Sequence, residues 1–256
     1  MYQDVVELRA FYQSLLGKLT TRLLRRKLRA FWPDVTGLDI LGLGYGTPYL
    51  EQMRQKAERT IALMPAQQGI MHWPNHDVRR EKDKQNMPSQ GNLTALAHET
   101  QLPLKDASMD RILIVHMLEH TEDPQHMLRE VWRILAPGGR LIVIVPNRMG
   151  FWARSDHTPF GHGKPFTSKQ VRQILNDNMF TPLRTEKALA FAPFRNRTML
   201  SMAPAIERVG QRWWQNLSGV LMFEAEKQIY ALRPRSLKRK RVIKPVILGN
   251  NKTIKD

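Results

Sequence analysis

The stretch that most restricts how this chain can fold is Leu38-Asp39-Ile40-Leu41 running into Gly42-Leu43-Gly44-Tyr45-Gly46, with Pro48-Tyr49-Leu50 behind it. A short apolar strand that ends in closely spaced glycines and re-enters a helix is the opening unit of an open α/β sheet. Glycines suit such a turn because a side chain would hold a ligand away from the backbone, and some positions can require positive φ. The spacing is G-x-G-x-G. The dinucleotide fingerprint G-x-G-x-x-G would need glycine at 47, where the chain has Thr47.

The order of elements downstream fits such a sheet. Leu50 to Glu58 suits a short helix, and Thr60–Met64 and Asn92–Ala97 read as the second and third strands, with the polar stretch Asn75–Gly91 between them a solvated loop. Arg111–Val115 is a buried strand. Asp123-Pro124 then starts a helix with apolar face Met127, Leu128, Val131, Trp132 and Leu135, and Pro137-Gly138-Gly139 turns the chain into the strand Leu141–Pro146. Repeated strand-helix-strand passages predict a parallel sheet with right-handed crossovers.

Further on, Thr167 and Gln170 form a capping box, Thr185–Ala192 reads as a strand, and Val220–Ala231 as a last strand. Met199, Met202, Ile206, Val209, Trp213 and Leu217 recur at helical spacing, which predicts a core-packing helix. Ahead of the sheet, residues 4–31 read as one or two helices, ended by Trp32-Pro33-Asp34. The expected organisation is a helical segment over 1–34 packing on the sheet, one domain over 35–232, and a basic tail over 233–256.

Composition bounds the function. A length of 256 residues suits one α/β domain, and the absence of cysteine excludes disulfides, thiolate metal sites and a thiol nucleophile. No apolar run is long enough to span a membrane, and the acidic opening Met1–Glu7 lacks a signal peptide's order, so the expected location is cytoplasmic. The formal charge is +17. Close to half of it comes from the segment after Arg233, and Lys18, Arg22, Arg25, Arg26, Lys27 and Arg29 add a basic block near the start. Nucleic acid, an anionic membrane surface or an acidic substrate are the partners such a field attracts, and a solvated face is the plainer use. An interfacial membrane helix at the basic block is a further option.

Five pieces in order resemble a class I S-adenosylmethionine-dependent methyltransferase of the type-11 group. They are Gly42 to Gly46, Leu102 to Asp110, His116-Met-Leu-Glu-His120 with Asp123-Pro124, Trp132 to Gly139, and Pro146-Asn147. The resemblance implies a Rossmann-like α/β fold: a mostly parallel seven-stranded sheet with one reversed edge strand and helices on both faces. It also implies S-adenosyl-L-methionine as cofactor. By that likeness Gly42, Gly44, Tyr45 and Gly46 pass beneath the methionine part, His98 or Glu99 faces the adenine, and His116 and Met117 flank the sulfonium. Two positions depart from the family pattern. Ile40 stands where an acidic residue precedes the glycines, and the second strand ends in Met64-Pro65-Ala66-Gln67, where only Gln67 could bond the ribose hydroxyls.

Methyl transfer from a sulfonium gains from alignment and from removal of the acceptor's proton. His116 is the candidate base, with Glu119 or His120 orienting it; the plainer reading is that the histidines cap the strand and helix. The same residues spell H-x-x-E-H, a zinc signature that requires both histidines on one helix and a third ligand; directly after a buried strand they are not assigned to metal. Gly150–Phe166, with His157, Phe160 and His162, is expected to cover the acceptor pocket, towards which Asn147 and Arg148 also point. Two functions follow: methyl transfer to an unidentified acceptor, or a catalytically silent domain that binds through its basic ends.

Overall fold

A computed structural model describes residues 2–74, 91–194 and 196–229. The expected basic tail and nearly all of the polar loop lie outside the described residues. Seven strands form one sheet: β1 (Asp39–Gly44), β2 (Arg59–Pro65), β3 (Thr94–Ala97), β4 (Met109–Val115), β5 (Leu135–Pro146), β6 (Phe180–Ala188) and β7 (Val220–Lys227), in the order β3-β2-β1-β4-β5-β7-β6. β1 to β5 are mutually parallel, and β7 runs antiparallel to both β5 and β6. The reversed strand therefore sits one place in from the edge, which β6 occupies.

Alternation along the central strands feeds two cores. Ile40, Leu113, Val115, Ile142 and Ile144 face one, shared with α1 (Val5–Gln13) and α2 (Leu15–Phe31). Leu41, Leu43, Ile112, Ile114, Leu141 and Val143 face the other, under α4 (Pro124–Ile134) and α5 (Ser168–Asp177). Strands buried on both faces read as continuous apolar runs, which is why they were visible in the sequence. Asp123 caps α4 through His126 N, and the Thr167–Gln170 capping box opens α5.

Ser14 divides the first helical segment in two. Its hydroxyl donates to Phe11 O at 2.6 Å and accepts from Gly17 N at 3.0 Å. The elbow is tight enough that a Cβ on Gly17 would lie 2.0 Å from Phe11 O. α2 buries Leu16, Thr20, Leu24, Leu28 and Phe31, so its apolar face is taken up by the core and is not presented to a membrane.

Three boundaries and one helix face differ from expectation. The first is β5, which begins at Leu135 where a helix residue and then a turn at Pro137-Gly138-Gly139 were expected, because its early residues already pair with β4. The helix after the glycine turn is α3 (Thr47–Leu50), and residues 51–56, where the helix was expected, continue as hydrogen-bonded turns. β6 begins at Phe180, five residues ahead of the expected Thr185, and stops at Ala188 because Leu189 takes a positive φ of 61°. α6 (Arg197–Trp213) is rotated from the expected face: Ala203, Glu207 and Gly210 face inward and Ile206 packs against the core as expected, while Met202 and Val209 are exposed and Trp213 is 74 % exposed. The reason is specific docking. The Glu207 carboxylate accepts from Leu189 N and Ala190 N, and Gly210 lets α6 approach Ala190.

The connection from β3 to β4 is held by one arginine. Arg133 donates to Leu102 O (2.9 Å), Leu104 O (2.8 Å) and both oxygens of Glu130, whose Oε2 also accepts from Leu102 N at 3.0 Å. The Arg133 hydrogen bonds hold the Glu130 carboxyl below its ordinary range. A carboxyl lowered by folding stabilises the fold above its unfolded pKa and loses that contribution as pH falls through the folded value. Glu130→Gln is therefore expected to flatten the acid limb of a stability-versus-pH curve measured by urea denaturation. Gly17→Ala should cost about 2–4 kcal/mol in the same assay, since backbone must shift to admit the methyl.

Candidate cofactor cleft

After β1 the chain builds β2 and β3 on one side and then returns to place β4 on the other, so the strand order reverses between β1 and β4. Ligands of open α/β sheets bind at the carboxyl ends of the strands beside such a reversal. The residues following β1, β2, β3 and β4 there are Tyr45, Gln68, Glu99 and His116.

Close packing rather than an open ligand face explains the glycines. Gly44 has φ of +75°, and a Cβ on it would lie 2.2 Å from Val115 O. Tyr45 N donates to that same oxygen at 2.8 Å. A Cβ on Gly42 would meet Leu50 Cδ1 at 2.5 Å, and one on Gly46 would meet Gly42 Cα at 3.4 Å. The turn is bare so that β1 can close onto β4 and α3.

His116 sits in the left-handed region at φ 53°, an arrangement that costs a non-glycine residue about 1 kcal/mol or more and collects at functional sites. It is fully buried. Its Nδ1 lies 3.3 Å from Glu119 Oε1, and its Nε2 lies 2.8 Å from the Tyr12 hydroxyl. The Phe160 ring packs against it with centroids 4.7 Å apart. Neither Glu119 oxygen makes a well-formed hydrogen bond, and both polar atoms of the buried Gln68 side chain lack a partner among the described residues. Buried polar atoms left this way call for a ligand or water.

The N-terminal segment crosses this edge from one core to the other. Tyr2 belongs to the α4 side, Val5 and Tyr12 to the α2 side. On the way Tyr2 donates its hydroxyl to Glu99 and packs its ring 5.6 Å from His120. Val5 N donates to Gln68 O at 2.8 Å. Tyr12 stacks on Tyr45, with centroids 5.3 Å apart, and its hydroxyl lies 2.9 Å from that of Tyr49. All four strand ends are thus touched by residues 2–12. Residues 4–31 read as one or two helices packing on the sheet, but nothing in the sequence said that their first turns lie on the crevice.

Of the residues singled out from sequence, the structure brings together Tyr45, Glu99, His116, Glu119, His120 and Phe160, with Met117 buried just behind. It leaves others apart. Gln67 is exposed, and its neighbour Gln68 turns inward instead. His98 is exposed and bonds Thr100, so Glu99 is the inward member of that pair. Asn147 is spent on structure, donating to Asn216 O and Ser218 O. Arg148 reaches Pro165 O, His162 reaches Asp156 O at 3.1 Å, and His157 is exposed. The 150–166 segment is anchored rather than free-standing: Trp152 Nε1 donates to Phe191 O, and Lys164 N donates to Glu119 O. Among the described residues no three His, Asp or Glu side chains converge as a metal site, and no helix is long and apolar enough to cross a membrane.

Burial pushes the Tyr45 phenol up to about 12 and raises Tyr12 and Tyr49 as well. A group raised by folding contributes stability below its unfolded pKa and loses it as pH climbs through the folded value. Spectrophotometric titration should therefore show these three tyrosines ionising above pH 10, together with unfolding. Tyr12→Phe, which strips a partner from both His116 and Tyr49, should cost about 1–3 kcal/mol in denaturant melts.

Comparison with known proteins agrees with this architecture. Residues 38–143 match the family model described as a methyltransferase domain. A probable S-adenosylmethionine-dependent methyltransferase of Mycolicibacterium smegmatis is 30% identical over 146 residues, covering 54% of this chain and 50% of that protein. A demethylmenaquinone methyltransferase of Lactococcus lactis is 30% identical over 161 residues, covering 60% of this chain and 61% of that one. The chain thus spans about half the length of the first of these curated relatives. Among solved structures, a methyltransferase from Thermotoga maritima, described as a possible histamine N-methyltransferase, superposes with a TM-score of 0.57 at 16% identity, covering 88% of this chain and 95% of that one. Residues 38–143 are thus similar to a methyltransferase domain, and the described fold is that of solved S-adenosylmethionine-dependent methyltransferases.

Proposed function

We propose that the chain transfers a methyl group from S-adenosyl-L-methionine to an acceptor through the cleft at the carboxyl ends of β1 to β4. The observation that carries this reading is the buried Gln68 side chain and the Glu119 Oε2 atom, which lack hydrogen-bond partners among the described residues, beside the His116–Glu119 pair in the crevice where the strand order reverses. The residues present fit the cofactor's chemistry. Gln68 offers a donor and an acceptor to sugar hydroxyls in place of the family's carboxylate. Glu99, whose carboxyl burial pushes up against the pull of Thr121's hydroxyl, faces the adenine end. When bound, the cofactor supplies an electrophilic methyl on a sulfonium.

The chain's own part is positioning and proton removal. With its proton on Nδ1 towards Glu119, His116 keeps a lone pair on Nε2, now taken by the Tyr12 hydroxyl. Moving Tyr12 aside frees that lone pair as a general base, while Glu119 acts as a positioning residue. Phe160 against the imidazole keeps water away.

Residues 2–12 then stand in the cofactor's way, and binding requires that they shift. Ligand affinity is reduced by the fraction of molecules that are closed. Calorimetry with S-adenosylmethionine and S-adenosylhomocysteine is the direct test, with binding expected in the full chain and about tenfold tighter binding in Tyr12→Ala. Absence of binding to both proteins at millimolar ligand would overturn the proposal in favour of a silent domain that uses its basic surfaces.

A further inference from the structure

α2 carries its charge in a regular stripe. Lys18, Arg22, Arg25 and Arg29 recur at intervals of four, three and four, which puts them on one helical face, and all four line a cavity of about 460 Å³ whose other wall is formed by Pro48 and Gln52 around α3. That volume is in the range of small-ligand pockets.

The cavity is built from cations that form no ion pair: among the described residues, no carboxylate lies within ion-pair distance of any of these four. By contrast, Lys27, one position from the stripe, is satisfied by Glu186 at 2.9 Å. Arg25 is half-buried and fixed: its Nε donates to Pro48 O at 2.7 Å, which leaves its terminal nitrogens for another partner. Burial lowers its pKa, against the pull of Glu51 and Tyr49, and the Arg29 charge lowers it a little further. Both effects are relieved by an anion. Arginine's planar fork favours phosphate oxygens in particular.

Two features set the size and kind of ligand. The apolar side of α2 is buried in the core, so the stripe cannot lie in a bilayer as an amphipathic helix. The cations surround a concavity instead of tracking a groove, which suits a discrete phosphate group over a nucleic-acid backbone. The cavity also abuts the cleft, for Tyr12 lines it and reaches His116.

We infer that the cavity between α2 and α3 binds the phosphate group of a small molecule, and, resting on the methyl-transfer reading above, that the methyl acceptor carries this phosphate. The occupant enters from the α2 side, with Tyr12 as the wall between it and His116.

Pyrophosphate is the probe. Isothermal titration of the full chain at fixed ionic strength should give saturable binding that weakens at least tenfold in the double variant Arg22→Gln/Arg29→Gln. Both side chains are exposed, and an unchanged melting temperature verifies the fold. A control pair on exposed surface elsewhere, Arg172→Gln/Arg208→Gln, should change affinity less than twofold. Equal weakening in both pairs, or no saturable binding, overturns the site and traces any attraction to net charge. A second arm uses phosphatidylcholine vesicles with and without phosphatidic acid. Sedimentation that needs phosphatidic acid, is competed by pyrophosphate and is lost in the Arg22/Arg29 pair supports the site with a lipid headgroup as the source of the phosphate. No sedimentation alongside pyrophosphate binding supports a soluble one. Retention on single-stranded RNA that pyrophosphate does not compete and that survives the double variant overturns the assignment for that partner. Failure of S-adenosylmethionine binding with pyrophosphate binding intact would remove the acceptor claim and leave the phosphate site standing; the reverse would remove the site and leave methyl transfer.

Discussion

The Tyr12 hydroxyl, shared between Tyr49 and His116, is the contact on which the rest of this structure turns. It joins the N-terminal helix to the glycine turn and to the residue that ends β4, three pieces far apart in sequence. In a dry interior such a bridge has high stakes. Removing one member strands two polar groups, and a buried unpaired group costs more than a formed bond gains. This contact is also what must give way if a ligand is to reach the crevice. Stability of the closed form and access to the cleft are therefore opposed.

That opposition gives the basic block a reason to be where it is. α2 follows α1 through a tight elbow at Ser14 to Gly17, which sets α2's cationic face close to Tyr12. The same tyrosine forms part of the cavity wall on one side and of the cleft on the other. A protein built this way holds two adjoining spaces of different chemistry, one rich in arginine and one lined by aromatic rings and a buried histidine-carboxylate pair.

How far the sequence exposed all this depended on how local the cause was. The strands β4 and β5, the Asp123 cap and the Thr167–Gln170 box were legible because burial on both sheet faces and capping geometry each leave a mark within a few residues. The orientation of α6 was not. Its methionines and tryptophan have helical spacing, yet Glu207's bonds to the backbone at Leu189 and Ala190 turn the adjacent side, with Ala203 and Gly210, inward. In the site, His116, Glu119 and Phe160 were singled out and do converge. Gln68 was missed in favour of Gln67 because the turn after β2 decides which of two neighbouring glutamines points in, and Tyr2 and Tyr12 were missed because their partners lie at Glu99, Tyr45 and His116.

By itself the sequence determined the kind of sheet, the succession of most of its strands along the chain and the likeness to a methyltransferase domain, since apolar periodicity, glycine spacing and proline placement act on the nearest few residues and survive without neighbours. Only the tertiary structure decided that the glycines serve the approach of β1 to β4, that Asn147 is a structural tie, and that residues 2–12 lie across the carboxyl ends of β1 to β4. Those outcomes depend on which surfaces meet after the strand order reverses, and contact between segments a hundred residues apart leaves no local pattern to read.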